Sequence, residues 1–359
     1  MVISEICKKL QLEGNLVSYD IVSNGNINTT YHVLCNKNGT VYEYLLQRIN
    51  KNVFKDPIGV MNNIATVSDY ISKNSTANEL NFLVFNKTEE GLPYVIDELD
   101  NFWRCCQYLD CITFNTTDNL NVIEEAGYAF GKFQQSLQGF NANKLAITIP
   151  DFHNTIKRIE NLETAIKFSG DKRKTLCQNE IDYILQNKDL ASILQNMFES
   201  GELPLRVTHN DTKCNNVVFN KNTLKALAVI DLDTIMPGLT AYDFGDGARS
   251  IACTTEEDEK DLSKVKFDLD KFESFAKGYL APLKTSLNKN EIKTLGVSCF
   301  VLTIELAARF LEDYLNGDIY FKIAYEDQNL YRTKCQIALC KDIYSKLDKI
   351  NEIINKYSV

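Results

Sequence analysis

The hydrophobic period of this chain changes near residue 110, and that change limits the possible folds more than any single motif does. Before it, apolar residues alternate as they do in half-buried strands. Segments 19–23 and 30–34 flank the turn-rich string SNGNIN, and 41–49 follows Asn38-Gly39, a hairpin turn signal. Asp56-Pro57 then opens a helix, because Asp caps and Pro suits the first helical position; Val60, Ile64, Val67 and Ile71 form its apolar stripe. Two further strands are expected at 94–98 and 102–109. Beyond the change the spacing is three and four, so that Val122, Ala126, Ala129, Phe133, Leu137 and Phe140 share one helix face. Helices are expected over 155–168, 178–198, 267–280, 290–315 and 335–355, interrupted by one hairpin near 217–230. Strands followed by helices make an α+β chain of two lobes: a small β-rich N lobe at 1–103, a hinge at 104–112, and a larger, mainly helical C lobe at 113–359. The cleft between them is the expected ligand site.

Composition excludes several classes of partner. A length of 359 residues with 44% apolar and 24% charged residues suffices for a large core and argues against disorder. A formal charge of −9 repels phosphate backbones and anionic lipid, so neither nucleic acid nor a membrane is an expected partner. The apolar stretch 295–311 is broken by Glu305 and Arg309, which are costly in lipid, and reads as a buried helix. The first residues show neither the basic start nor the apolar run of a signal peptide, and the 11 Cys lack any C-x-x-C spacing. A cytoplasmic protein with reduced thiols, acting as a monomer on small molecules, is therefore expected. In the acidic string TTEEDEKD at 254–261, Thr254 and Glu257 have capping-box spacing, which predicts a solvated helix start.

The chemistry concentrates in VTHNDTKCNNVVFNKNTLKALAVIDLD, residues 207–233. Strand-like 217–219 and 226–230 should pair across the turn Asn220-Lys221-Asn222, which brings Asn216 beside Asp231. An amide oxygen and a carboxylate at the open end of one hairpin are hard donors of the kind Mg²⁺ takes while keeping positions for water and phosphate. Asp211, five residues before Asn216 on an irregular loop, can reach a hydroxyl in line with a held phosphate.

The pattern His209-x-Asp211-x-Lys213-x-x-Asn216, followed by Asp231, resembles the catalytic and metal loops of the kinase superfamily. The resemblance implies Asp211 as catalytic base, Asn216 and Asp231 as Mg²⁺ ligands, Lys213 as a phosphate contact and His209 as the anchor of the loop. Asp233 is the candidate second metal contact if the segment stays extended. Asp243-Phe244-Gly245 spells the protein-kinase metal triplet, but it comes too late, after the hairpin. YDFGDGAR instead is similar to the segment in aminoglycoside phosphotransferases and choline kinases whose Asp braces the catalytic loop.

Longer strings narrow the resemblance. YLLQRIN, AFGKFQQSLQGF, TIPDFHNTIKRI, VIDLDTIMPGLTAYDFGD and ARFLEDYLNGDIYFK together look like N-acetylhexosamine 1-kinases, from about residue 20 to 345. That family implies a two-lobed protein-kinase-like fold of the aminoglycoside phosphotransferase type. It also implies ATP and Mg²⁺ as cofactors, and an amino sugar phosphorylated at its anomeric hydroxyl. Arg309 and Tyr320 then match sugar-contacting positions, with an intrahelical Glu305–Arg309 ion pair as the other reading of Arg309. A kinase of the same fold acting on homoserine, choline or an aminoglycoside is the alternative. Protein kinases hold the nucleotide with a strand Lys paired to a helix Glu; here the strand reads Leu45-Leu46-Gln47-Arg48, and Gln47 or Arg48 is the candidate substitute. Gly25 and Asn28, in the string SNGNINTTYHV, are the candidate phosphate loop, and the adenine is expected at Arg104, Cys105 and Gln107.

Overall fold

The computed structural model describes residues 3–22, 28–51, 54–74 and 81–358; Gly25 lies outside the described residues. Helix α1 (Ile3–Lys9) comes first, then strands β1 (Asn15–Val22), β2 (Thr29–Lys37) and β3 (Thr40–Ile49), joined as antiparallel hairpins. Helix α2 (Pro57–Asn74) follows, with Asp56 Oδ1 accepting the Gly59 amide at 2.9 Å, the cap that Asp-Pro predicts. Strands β4 (Asn81–Phe82), β5 (Val95–Ile96) and β6 (Phe102–Gln107) complete this part. The sheet order is β1-β2-β3-β6-β5, while β4 joins a sheet of the C lobe.

The N-lobe sheet is covered on both faces. On the outer face Ile6, Cys7 and Leu10 of the α1 segment pack on Val33, Cys35, Leu46, Trp103 and Cys105. The heptapeptide α1 is too short to show a helical period and has no counterpart in the sequence reading. On the inner face Ile49, Phe102 and Cys106 join Val60, Ile64, Val67 and Ile71 of α2 in a core that runs on into the C lobe. Strand β6 continues through Gln107, so Arg104–Gln107 belong to the sheet and not to the hinge expected at 104–112. The connection reaches the C lobe at Ile112, which bridges to Phe219.

The C lobe starts with α3 (Leu120–Ser136) and α4 (Thr155–Phe168). The single helix expected over 178–198 is several short ones: α5 (Asp171–Leu176) precedes it, and α6 (Gln178–Gln186), α7 (Lys188–Ala191) and α8 (Ile193–Glu199) divide it. The junctions fall at Asn187 and Ser192, whose side chains donate to the carbonyls of Tyr183 and Lys188 and compete with the helical ladder. Strand β7 (Arg206–Thr208), the hairpin β8 (Val217–Phe219) with β9 (Ala226–Val229), and β10 (Met236–Gly238) lead into α9 (Thr240–Ala252). Helices α10 (Leu269–Leu280), α11 (Lys289–Leu315), α12 (Gln328–Ser345) and α13 (Leu347–Tyr357) finish the chain. Helix α11 is long and apolar enough to cross a membrane, but 89% of its apolar window is buried inside the fold.

Residues 254–261 do not start a helix. Thr254 uses its hydroxyl to bond the Lys264 carbonyl at 2.8 Å and to accept the Lys266 amide at 2.9 Å. A cap aimed across a loop cannot also cap a first turn, and the segment folds as turns and bends.

Candidate active site

The loop after β7 is held by buried side chains. Asp243, on α9 and 1% exposed, accepts the amides of His209 at 2.9 Å and Asn210 at 2.7 Å together with Gln134 Nε2 at 2.7 Å. Thr212 donates its amide to Asp246 Oδ2 at 2.9 Å and its hydroxyl to the Asp243 carbonyl at 2.6 Å. His209 Nε2 donates to the Ile230 carbonyl at 2.9 Å, so the imidazole ties the loop to the end of β9. Asn210 takes a left-handed backbone, φ 65°, at the point where the chain turns toward Asp211.

Asp211, Lys213 and Asn216 lie together at the end of the loop. Lys213 Nζ lies 3.1 Å from Asp211 Oδ1, and that carboxylate raises the lysine pKa against partial desolvation of the half-exposed side chain. Asn216 Nδ2 donates to the Asp211 carbonyl at 2.8 Å and to its Oδ2 at 3.0 Å, which leaves the Asn216 amide oxygen without a hydrogen bond among the described residues. The Ile230 amide donates to the Asn216 carbonyl at 2.9 Å, and this sets Asp231 at the mouth of the hairpin with φ 58°. Although Asp231 is exposed, desolvation at the hairpin mouth pushes its carboxyl up from the ordinary value, and Asp233 and then Asp211 push in the same direction. Asp231 thus lies in the field of two further carboxylates, a repulsion that a divalent cation bound beside it would relieve. The donors are all oxygen and few, which fits Mg²⁺ completing its sphere with water and phosphate; no group of three or more His, Cys, Asp or Glu forms a self-sufficient metal cage among the described residues.

The expected extended path from Asp231 to Asp233 is not seen, because Leu232–Thr234 is a 3-10 turn. Asp233 is 2% exposed and gives one oxygen to Arg104 Nη1 and the other to Asn28 Nδ2 at 2.9 Å. It therefore spans to the N lobe, in place of the free second metal contact that an extended strand would present. Gln47 and Arg48 separate in the same way: Gln47 faces the cleft, with Arg104 Nε donating to its Oε1 at 2.9 Å. Arg48 lies on the opposite face, over the Trp103 ring at 6.0 Å. Cys105 is also turned outward under α1, and its carbonyl accepts the Asn86 amide at 2.8 Å, so it does not open onto the cleft. Gln107 is exposed at the end of β6.

On the C-lobe side, the Arg309 guanidinium sits between the rings of Phe152 at 5.7 Å and Phe321 at 5.5 Å. The intrahelical pair with Glu305 does not form: Glu305 binds His153 Nδ1 and the Thr155 hydroxyl, each at 2.8 Å. Tyr320 is 69% exposed, and its backbone is fixed by Asp313, which accepts the amides of Ile319, Tyr320 and Phe321 at 2.7–2.9 Å. His153 was not singled out by spacing, yet its Nε2 reaches the Asn210 carbonyl at 3.1 Å and so links α4 and α11 to the loop that carries Asp211. Its scarcity, one of 3 His, was the available signal.

Residues 19–276, well over half of the chain, match the Phosphotransferase enzyme family. The chain belongs to this family. The fold agrees with an aminoglycoside phosphotransferase from Alicyclobacillus acidocaldarius (TM-score 0.65, 12% identity, 99% of this chain and 97% of that one). It agrees also with a microcompartment-associated aminopropanol kinase (0.63, 13%, 97% and 98%) and a choline kinase from Cryptosporidium parvum (0.59, 14%, 99% and 98%). At such identities the likeness establishes a phosphotransferase fold and leaves the acceptor to the site itself.

Proposed function

We propose that this family member is an ATP- and Mg²⁺-dependent kinase of N-acetylhexosamines, forming the sugar 1-phosphate. The observation that carries phosphoryl transfer is the meeting of Asp211, Lys213, Asn216 and Asp231 at one hairpin mouth. In this reading Asn216 and Asp231 hold the metal, which when bound neutralises charge on the phosphates. Asp211 accepts the proton of the acceptor hydroxyl as that oxygen bonds the γ-phosphorus of ATP and the bond to the β–γ bridging oxygen breaks to release ADP, while the Lys213 ammonium stabilises the charge that develops beside it. An anomeric hydroxyl is more acidic than an ordinary alcohol, so a carboxylate base suffices.

The acceptor follows from charge. Arg309 makes no direct ion pair among the described residues, although Glu305 and Glu312 lie in its field, and it is flanked by aromatic rings, with exposed Tyr320 nearby. A guanidinium with aromatic surface suits a neutral sugar bearing an acetamide carbonyl and disfavours a cationic acceptor. A second reading, an amine-bearing acceptor, has the acidic segment 254–261 in its favour, since Glu257 acts on Lys213 at the edge of the same site. An ADP-release assay with N-acetylglucosamine, N-acetylgalactosamine, homoserine, choline and an aminoglycoside separates them. Turnover with the N-acetyl sugars alone is the expected result, and Asp211→Asn should lower kcat by about 10²–10⁴-fold with sugar binding kept. Turnover confined to the amines replaces the acceptor assignment.

A further inference from the structure

The N lobe lacks the strand Lys and helix Glu with which protein kinases align their nucleotide: Gln47 stands on β3, and the acidic members of α2 do not include Glu. What the cleft face of the sheet carries instead is a connected polar row. Gln47 Nε2 donates to Thr30 Oγ1 at 3.2 Å, and Gln47 Oε1 accepts from Arg104 Nε at 2.9 Å, across the direct register Thr30–Gln47–Arg104. Arg104 is 2% exposed and sends Nη1 to Asp233, and it also lies 3.7 Å from the Met61 sulfur of α2. Asn28, at the start of β2, donates to the other Asp233 oxygen at 2.9 Å and accepts the Asn50 amide at 3.0 Å. Every link leads to Asp233, two residues beyond Asp231.

We infer that Arg104 is the positioning residue of the nucleotide site: it holds Asp233, through a fork anchored on Gln47, so that the turn carrying Asp231 keeps one orientation toward the N-lobe sheet. This rests on the kinase reading above and specifies how its metal turn is aligned. The geometry needs Arg and not Lys. One guanidinium plane reaches Gln47 with Nε and Asp233 with Nη1, whereas an ammonium is a point donor on a flexible stem. The pair is also buried on both sides, with side chains 3% and 2% exposed, so breaking it cannot be repaired by water. Arg104 acts through Asp233, and its effect therefore belongs to the magnesium-loaded nucleotide rather than to the nucleotide as such.

The test is calorimetric binding of ADP to the full chain, with Mg²⁺ and with EDTA, and no acceptor present. Arg104→Lys should weaken MgADP at least tenfold while changing metal-free ADP less than threefold. Gln47→Leu, which removes the anchor of Arg104 without touching the Arg104–Asp233 pair, should show the same magnesium-specific loss at a smaller size, about threefold, and serves if Arg104→Lys fails to fold. Equal loss with and without Mg²⁺ in these variants would mark Arg104 as merely structural and overturn the proposal, as would affinities within twofold of the parent chain. If the parent chain itself binds no MgADP, the kinase reading and this proposal fall together; if it binds while the variants bind equally well, only the assignment of Arg104 falls.

Discussion

His153 faces the Glu305 carboxylate with one ring nitrogen and the Asn210 carbonyl with the other, an arrangement that favours the imidazolium when Glu305 is ionised. Burial opposes that charge, but Glu305 outweighs it and raises the His153 pKa above 6.5, with Asp246 adding to the effect. Glu305, against the same burial, is held below 4.5 by His153, with Arg309 helping. The histidine's contribution to stability is complete below 6.5 and is lost as pH rises through its raised value; the glutamate's is present above 4.5 and lost as pH falls through its lowered value. Melting temperatures taken from pH 5 to 9 should therefore decline on the alkaline side in the parent chain, and His153→Gln should flatten that decline. Asp243 and Asp231 make a second contrast between neighbouring carboxylates. Asp243→Ala strands two backbone amides and Gln134 in the core and should cost about 3–5 kcal/mol in chemical denaturation. Asp231→Ala removes a repelled charge but places Ala on a left-handed backbone, and should cost no more than about 1 kcal/mol, less than Asp243→Ala, while abolishing Mg²⁺-dependent turnover.

Among elements, the crossing of α3 and α10 shows most clearly how backbone contact replaces side-chain packing. A Cβ on Gly127 would meet the Phe275 carbonyl oxygen at 2.3 Å, one on Gly131 the Tyr279 oxygen at 2.1 Å, and one on Gly278 the Glu124 oxygen at 2.0 Å. Gly278→Ala gains at most about 1 kcal/mol of helix propensity and should lose more than that to the forced separation, for a net destabilisation of about 1–3 kcal/mol. Gly170→Ala, with nothing near its would-be Cβ, is the clash-free control at the N-cap of α5 and should cost less than about 1 kcal/mol. Much of this level was legible in the linear chain. Helix α4 occupies the span 155–168 and α11 begins within one residue of 290, as their spacing predicts. The break between α12 and α13 was not legible, because Lys346 reaches the Phe267 carbonyl 79 positions away. The same holds within the site: Asn216 beside Asp231 follows from one hairpin, whereas the capture of Asp233 by Arg104, 129 positions away, is a tertiary fact.

In the molecule as a whole, α2 belongs to the larger core. Its Val60, Ile64 and Val67 sit in the same apolar cluster as Phe130, Phe244 and Ile304, while the outer face of the N-lobe sheet forms a separate one with α1. Asn63 secures this attachment. Its Nδ2 donates to the carbonyls of Ala146 and Ile235 at 2.8 and 2.9 Å, and its Oδ1 accepts the Ala146 amide at 2.8 Å. Asn63→Ala leaves those three backbone groups unpaired and should lower stability by about 2–4 kcal/mol, read as a fall in the unfolding midpoint. The fold also carries its own optical gauge. Trp103, the chain's 1 tryptophan, is buried one residue before Arg104, with its indole N–H fixed on Asp97 at 2.9 Å. All indole emission thus arises from a single strand bordering the cleft, and label-free fluorescence can follow events at the N-lobe sheet without competing signal from the helical part.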